Sequence, residues 1–162
     1  MIEKQVQIGK HYLYPSNLFV SDKPYQITTV LGSCIAVCLF ETEKLIGGMN
    51  HFMLPFWNGE GLASAKYGNI AIERLINEMR LKGAKLEKLQ AKMFGGANQV
   101  NLSLNIGDRN IALARKVLAE EGIPIVAESV GGTKGRKLIF DTYTGLVHMK
   151  YIQQTQILKH KI

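Results

Sequence analysis

The sequence predicts an α+β fold in which a mixed β-sheet system carries helices packed against it. Three observations lead there. Seven short runs rich in Ile, Val, Leu and Phe have the length and turn boundaries of strands, whereas two segments have helical period. Several strand-like neighbours are joined by short turns, which is hairpin connectivity and not a regular βαβ repeat. The 162 residues are 46% apolar and 20% charged, enough apolar material for a core and too much for a disordered chain.

In chain order, strands are expected at 26–31, 35–40 and 45–51, with Thr42, Glu43 and Lys44 closing a hairpin between the second and third. Residues 67–82 read as a helix, because Ala71, Ile72, Leu75, Ile76 and Met79 recur at the three-and-four spacing of one apolar face. Gly83 stops it, and Arg80 and Lys82 sit in the last turn, where cations suit the helix dipole. A strand at 89–94 precedes a second helix at 108–121, with Ile111, Ala114, Val117 and Leu118 on one face. Asp108 is its expected cap, and Gly122 and Pro124 end it. Strands at 123–128, 137–141 and 146–151 follow, the last two joined through Tyr143, Thr144 and Gly145. No repeat, low-complexity stretch or Pro/Ser-rich linker divides the chain, so one domain over residues 1–162 is the economical expectation.

No run approaches the roughly 18 apolar residues of a membrane span, and the first residues lack the plan of a signal peptide. A soluble, cytoplasmic protein without membrane insertion is expected. Two cysteines exclude a disulfide scaffold and a four-cysteine zinc site, and four histidines at no metal-ligand spacing give no reason to expect a metal or cofactor. His11, His148 and His160 read as surface or structural histidines. The net charge is +7. Residues 134–162 hold six basic groups against Asp141 alone, so the excess is C-terminal. It is either a solvated basic strand and tail or a surface that attracts an acidic partner. Nucleic acid is not the expected partner, because no recognition motif is present and no aromatic residues interleave with the charge.

The stretch from Thr28 to Cys34 carries the chemistry. A strand-like run ends at Gly32 and Ser33, and Cys34 follows that turn. A thiol there can face a cleft beside free N–H groups, and Gly32 and Ser33 are the candidate oxyanion turn. His51 ends the third strand, within reach of Cys34 if the two strands are neighbours. A free thiol is only a few per cent thiolate at neutral pH, so it needs such a base. A third group must fix the imidazole, and Thr28 is the candidate through its hydroxyl or its carbonyl. Cys38, mid-strand between apolar neighbours, reads as packing. The Gly-rich segments 94–97 and 131–136 match no phosphate loop. They read as tight turns or as a cleft rim, on which Lys134 and Arg136 would face an acidic partner.

These residues resemble the chemoreceptor glutamine deamidase family, CheD. The resemblance runs through Thr28, the turn from Leu31 to Cys34, residues 35–38, and the segment from Gly47 to Pro55. It continues in Lys66 and Tyr67, Gly83 to Lys85, Ala91 and Lys92 with Gly95 to Ala97, Asn105 to Gly107 with Arg109 and Asn110, and Ala127 and Glu128 with Gly131 and Gly132. It covers roughly residues 5 to 150, and the tail from about 153 lies outside it. The resemblance implies a layered sandwich of mixed sheets with helices on the outer faces. It also implies a nucleophile at Cys34, a general acid/base at His51 and an orienting group at Thr28. The implied activity is hydrolysis of glutamine side-chain amides on the cytoplasmic domains of methyl-accepting chemoreceptors, in chemotaxis adaptation. A CheC-type phosphatase is an implied further partner. The competing reading is a non-catalytic regulatory module that binds chemoreceptors or such a phosphatase.

Overall fold

A computed structural model describes residues 6–98 and 105–152. Nine strands and two α-helices follow in the order β1 (Gly9–Tyr12), β2 (Leu18–Ser21), β3 (Tyr25–Leu31), β4 (Ile35–Glu41), β5 (Ile46–Asn50), α1 (Gly68–Leu81), β6 (Leu89–Gly95), α2 (Ile106–Glu120), β7 (Ile125–Val130), β8 (Gly135–Asp141) and β9 (Val147–Ile152). They form two mixed sheets, one of four strands ordered β1-β3-β8-β9 and one of five ordered β2-β5-β4-β6-β7. The architecture is the expected α+β sandwich.

Strand alternation explains the layers. In β4, Ile35, Val37 and Leu39 join the core under the helices, while Ala36 and Cys38 join the core between the sheets. A strand buried on both faces reads as a continuous apolar run, as β4 does. Ile27 and Leu31 of β3 and Leu138 and Phe140 of β8 close the inter-sheet core from the four-stranded side. Both helices pack on the outer face of the five-stranded sheet.

α1 buries Ala71, Ile72, Leu75 and Met79, the face its spacing predicts. Gly83 terminates it with φ of +103°, a conformation that favours glycine. α2 begins two residues before its expected cap. Asn105 occupies the cap position, and Asp108 lies in the first turn, where its carboxylate accepts from Asn98 Nδ2 at 3.2 Å. The hairpins β4–β5 and β8–β9 are antiparallel, as their turns predict. In the first turn the buried Glu41 carboxylate accepts the Glu43 and Lys44 N–H groups, which fixes the register.

β1 and β2 have no counterpart in the pattern of apolar runs. Each has four residues, and each lies at a sheet edge. The loop between them nevertheless supports the candidate site.

Candidate active site

The turn at Gly32 and Ser33 carries the chain from the four-stranded sheet to the five-stranded one, and Cys34 is the residue just before β4. Three carbonyls anchor this turn. Gly32 accepts from the Ala97 N–H at 3.0 Å and Cys34 from the Gly96 N–H at 2.9 Å. Ser33 accepts from Asn110 Nδ2 of α2 at 3.0 Å. Among the described residues, the N–H groups of Gly32 and Ser33 meet no main-chain acceptor, and the Cys34 N–H lies beside its own sulfur. The positive-φ glycines here are Gly95 and Gly96, not Gly32. A Cβ on Gly95 would stand 2.1 Å from the Cys34 carbonyl oxygen, so the close approach that seats Cys34 requires glycine.

His51 follows β5 and is buried. Its main chain is held by the β1–β2 loop: His51 N–H donates to Asn17 at 3.2 Å, and His51 accepts from Ser16 N–H at 2.8 Å. The next residue returns to β4, with Ile35 and Phe52 exchanging hydrogen bonds of 3.1 and 3.0 Å. Ile35 and Phe52 both face the helices. Cys34 and His51, one residue away on each strand, therefore face the other sheet. Continuing the antiparallel register sets His51 opposite Ala36 and diagonal to Cys34. Diagonal neighbours have Cα atoms about 7–8 Å apart, and Cys34 Sγ makes no hydrogen bond to His51 Nε2 in this structure.

The threonine beside the imidazole is Thr29, one residue on from the expected Thr28. Thr29 Oγ1 lies 2.7 Å from His51 Nδ1 and donates to the Leu13 carbonyl at 2.8 Å. Thr28 points the opposite way along β3 and lines the outer face with Lys10, Tyr12, Val30 and Lys137. Its carbonyl is taken by the Leu13 N–H at 2.8 Å. Neither group of Thr28 meets the imidazole. The alternation of Ile27 and Leu31 toward the core carried this signal, since Thr29 lies between them on the same face.

One proton decides the tautomer. A carbonyl only accepts, so the Thr29 hydroxyl spends its hydrogen on Leu13 and must accept from His51 Nδ1–H. Nε2 is then the bare lone pair. It is buried and has no hydrogen-bond partner among the described residues. Burial pushes the His51 pKa down to about 4. Burial likewise pushes the Cys34 thiol up to about 11, with its own backbone N–H pulling weakly the other way. The resting pair is thus neutral thiol and neutral imidazole.

Asn110 is a second residue whose role sequence reasoning missed. Fully buried in α2, it donates through Nδ2 to Ser33 and to Met53, both at 3.0 Å. It ties the turn before the thiol to the chain just after the imidazole. Asn50 does related work, its Oδ1 accepting the Val37 N–H at 2.9 Å where the β4–β5 ladder breaks beside His51.

The other sulfur and imidazoles stand apart. Cys38 is buried opposite Met49, and burial raises its pKa. His11 stacks on Phe19 at 3.9 Å, His148 lies 3.8 Å from Asp141, and His160 lies outside the described residues. A cavity of about 540 Å³ runs along α1 past Arg74, Asn77 and Arg80. It contains none of these chemical groups, so chemistry and not volume marks the site.

Residues 53–151 match the family model described as CheD chemotactic sensory transduction. A protein of Sulfurimonas denitrificans named "Probable chemoreceptor glutamine deamidase CheD" is 47% identical, over 93% of this chain and 99% of that protein. A protein of the same name from Trichlorobacter lovleyi is 52% identical, over 86% of this chain and 89% of its own. The chain belongs to the CheD family. The family model begins just after His51, but the alignment with the Sulfurimonas relative takes in most of the chain. In fold, this CheD-family chain is similar to the crystal structure of Bacillus licheniformis hypothetical protein YfiH. The TM-score is 0.50 at 16% identity, covering 72% of this chain and 51% of that one. No helix among the described residues is long and apolar enough to cross a membrane.

Proposed function

We propose that this protein is a chemoreceptor glutamine deamidase, working in the cytoplasm as one domain, with Cys34 as nucleophile and His51 as acid and base. The family and the names of its relatives support the substrate and reaction. The observation that carries the mechanism is the unpartnered Nε2 of His51, buried diagonal to Cys34 while Nδ1–H is held by Thr29.

Thiol and imidazole start neutral. As the glutamine side chain enters, Nε2 takes the thiol proton and Sγ attacks the amide carbon. The developing oxyanion is received by N–H groups of the Gly32–Ser33–Cys34 turn. The imidazolium returns its proton to the departing nitrogen, releasing ammonia and leaving a thioester on Cys34. Nε2 then deprotonates water, which attacks the thioester, and the proton goes back to sulfur as glutamate leaves. Glutamine and water become glutamate and ammonia, and the enzyme ends as it began. Thr29, not Thr28, holds the tautomer throughout. A CheC-type phosphatase is a further proposed partner, on the strength of the family resemblance alone.

The test is mass spectrometry of a chemoreceptor cytoplasmic fragment after incubation, with Cys34→Ala and His51→Ala alongside. Gain of about one mass unit per glutamine, lost in both variants, supports the reading. Conversion that survives Cys34→Ala refutes the nucleophile, and binding without conversion favours the non-catalytic module.

A further inference from the structure

Arg136 is a buried cation with no carboxylate beside it among the described residues. It is 3% exposed. Its Nε donates to Ser129 Oγ at 3.1 Å and its Nη1 to the Gly95 carbonyl at 3.3 Å. Among the described residues no Asp or Glu lies within ion-pair distance of it. The acids nearest in the chain are engaged elsewhere: Glu128 with Arg115 at 2.7 Å, Asp141 beside His148. Two neutral acceptors satisfy hydrogen bonds but leave the charge uncompensated, and a guanidinium taken from water without a counter-charge is costly.

The surroundings add positive charge. Arg136 Cζ stands 5.2 Å from the Tyr151 ring centroid and the exposed Lys134 Nζ 5.7 Å from the same ring. With Val130, Gly131 and Gly132 they line a pocket of about 390 Å³. The Tyr151 hydroxyl titrates below its ordinary value, through its bond to Ser129 and then the charge of Arg136.

This pocket adjoins the main chain that seats Cys34. The Gly95 carbonyl accepts from Arg136, and Gly95 packs against the Cys34 carbonyl. Arg136 also pairs in register with Leu31, three residues before Cys34.

We infer that the pocket of Arg136, Lys134 and Tyr151 binds a carboxylate of the substrate protein, an Asp or Glu side chain flanking the glutamine that Cys34 attacks. This rests on the deamidase reading and adds to it a determinant of which glutamines are chosen. A guanidinium presents donors that match a carboxylate, and beyond Ser129 and Gly95 the described residues offer this one only the Tyr151 hydroxyl. The substrate supplies the counter-charge that the fold withholds.

The probe is a chemoreceptor cytoplasmic fragment whose converted glutamine has been located by mass spectrometry. Its neighbouring Asp and Glu residues are neutralised one at a time, and Lys134→Glu and Arg136→Gln are made in the enzyme. Lys134→Glu is expected to raise KM about tenfold, with kcat within about twofold. Neutralising the matching acid should raise KM for the unaltered enzyme but add nothing in Arg136→Gln, the non-additivity of a direct contact. Changing that acid to Lys should recover part of the Lys134→Glu loss. Lys134 is exposed, so its variant tests the inference even if Arg136→Gln melts early. Conversion with KM unchanged in Lys134→Glu and strictly additive effects overturns the inference and leaves the deamidase standing. No conversion by the unaltered enzyme removes both. Oligonucleotide binding that Lys134→Glu abolishes, with peptide KM unmoved, overturns it in favour of a phosphate site.

Discussion

Thr29 Oγ1 lies 2.7 Å from His51 Nδ1 while donating its only hydrogen to Leu13, so the imidazole is held with its proton on Nδ1 and its lone pair on Nε2. Thr29→Val removes that acceptor and frees the ring to rotate or change tautomer. We expect kcat/KM for receptor deamidation to fall about 10- to 100-fold, with Thr29→Ser recovering most of it. Thr28→Val, on the outer face, should stay within about twofold. Parallel rate measurements on the three variants decide the point: equal losses in Thr28→Val and Thr29→Val would contradict the assignment.

His51 is neutral in the fold down to about pH 4. Between about 6.5 and 4 the unfolded chain binds a proton that the native chain refuses, so stability falls as pH falls through that window. The full effect is roughly 3 kcal/mol. Denaturant titrations at pH 7 and pH 4.5 should show most of this loss, and His51→Gln should reduce it. A His51→Gln protein with the same acid sensitivity would refute the buried neutral imidazole.

The two thiols should differ in reactivity. Cys34 is half-buried with its pKa pushed up to about 11, and Cys38 is fully buried. Iodoacetamide should modify Cys34 in the free protein more slowly than it does an ordinary exposed thiol at neutral pH, with the rate climbing above pH 9. Cys38 should react only on unfolding. Fast alkylation of Cys34 at pH 6 would reveal a resting thiolate–imidazolium pair instead.

Asn110 holds two main-chain carbonyls, one on each side of the site. Asn110→Ala leaves both buried acceptors unpaired, which should cost about 2–3 kcal/mol of stability and lower kcat as the turn loosens. Asn110→Asp should be no better at neutral pH, because a carboxylate has no proton to donate. Urea melts together with rates below the melting range separate the two effects.

The layers were legible because burial imprints period. The unbroken apolar run of β4 marked a strand covered on both faces, and α1 displayed its buried stripe at helical spacing. The edge strands β1 and β2 were not legible, since four half-buried residues carry too little pattern. Their loop nonetheless supplies the carbonyl of Leu13 and the backbone clamp on His51, contacts that form only in three dimensions. Turn chemistry and strand order made Cys34 and His51 candidates, and the family resemblance implied their roles. Choosing between Thr28 and Thr29 required the face of β3, and that depended on where Ile27 and Leu31 pointed. Arg136 read as a rim residue. Its burial follows from pairing with Leu31 across sheet partners far apart in sequence.

The central claim is a covalent intermediate on Cys34. The most direct measurement is acid-quenched intact-mass spectrometry of the enzyme mixed with a receptor fragment at millisecond times. The account predicts an adduct equal to the fragment less about 17 mass units of ammonia, sensitive to hydroxylamine and mapped to Cys34. It should be absent in Cys34→Ala. Turnover proceeding with no such adduct, or an adduct mapped to any other residue, would contradict it.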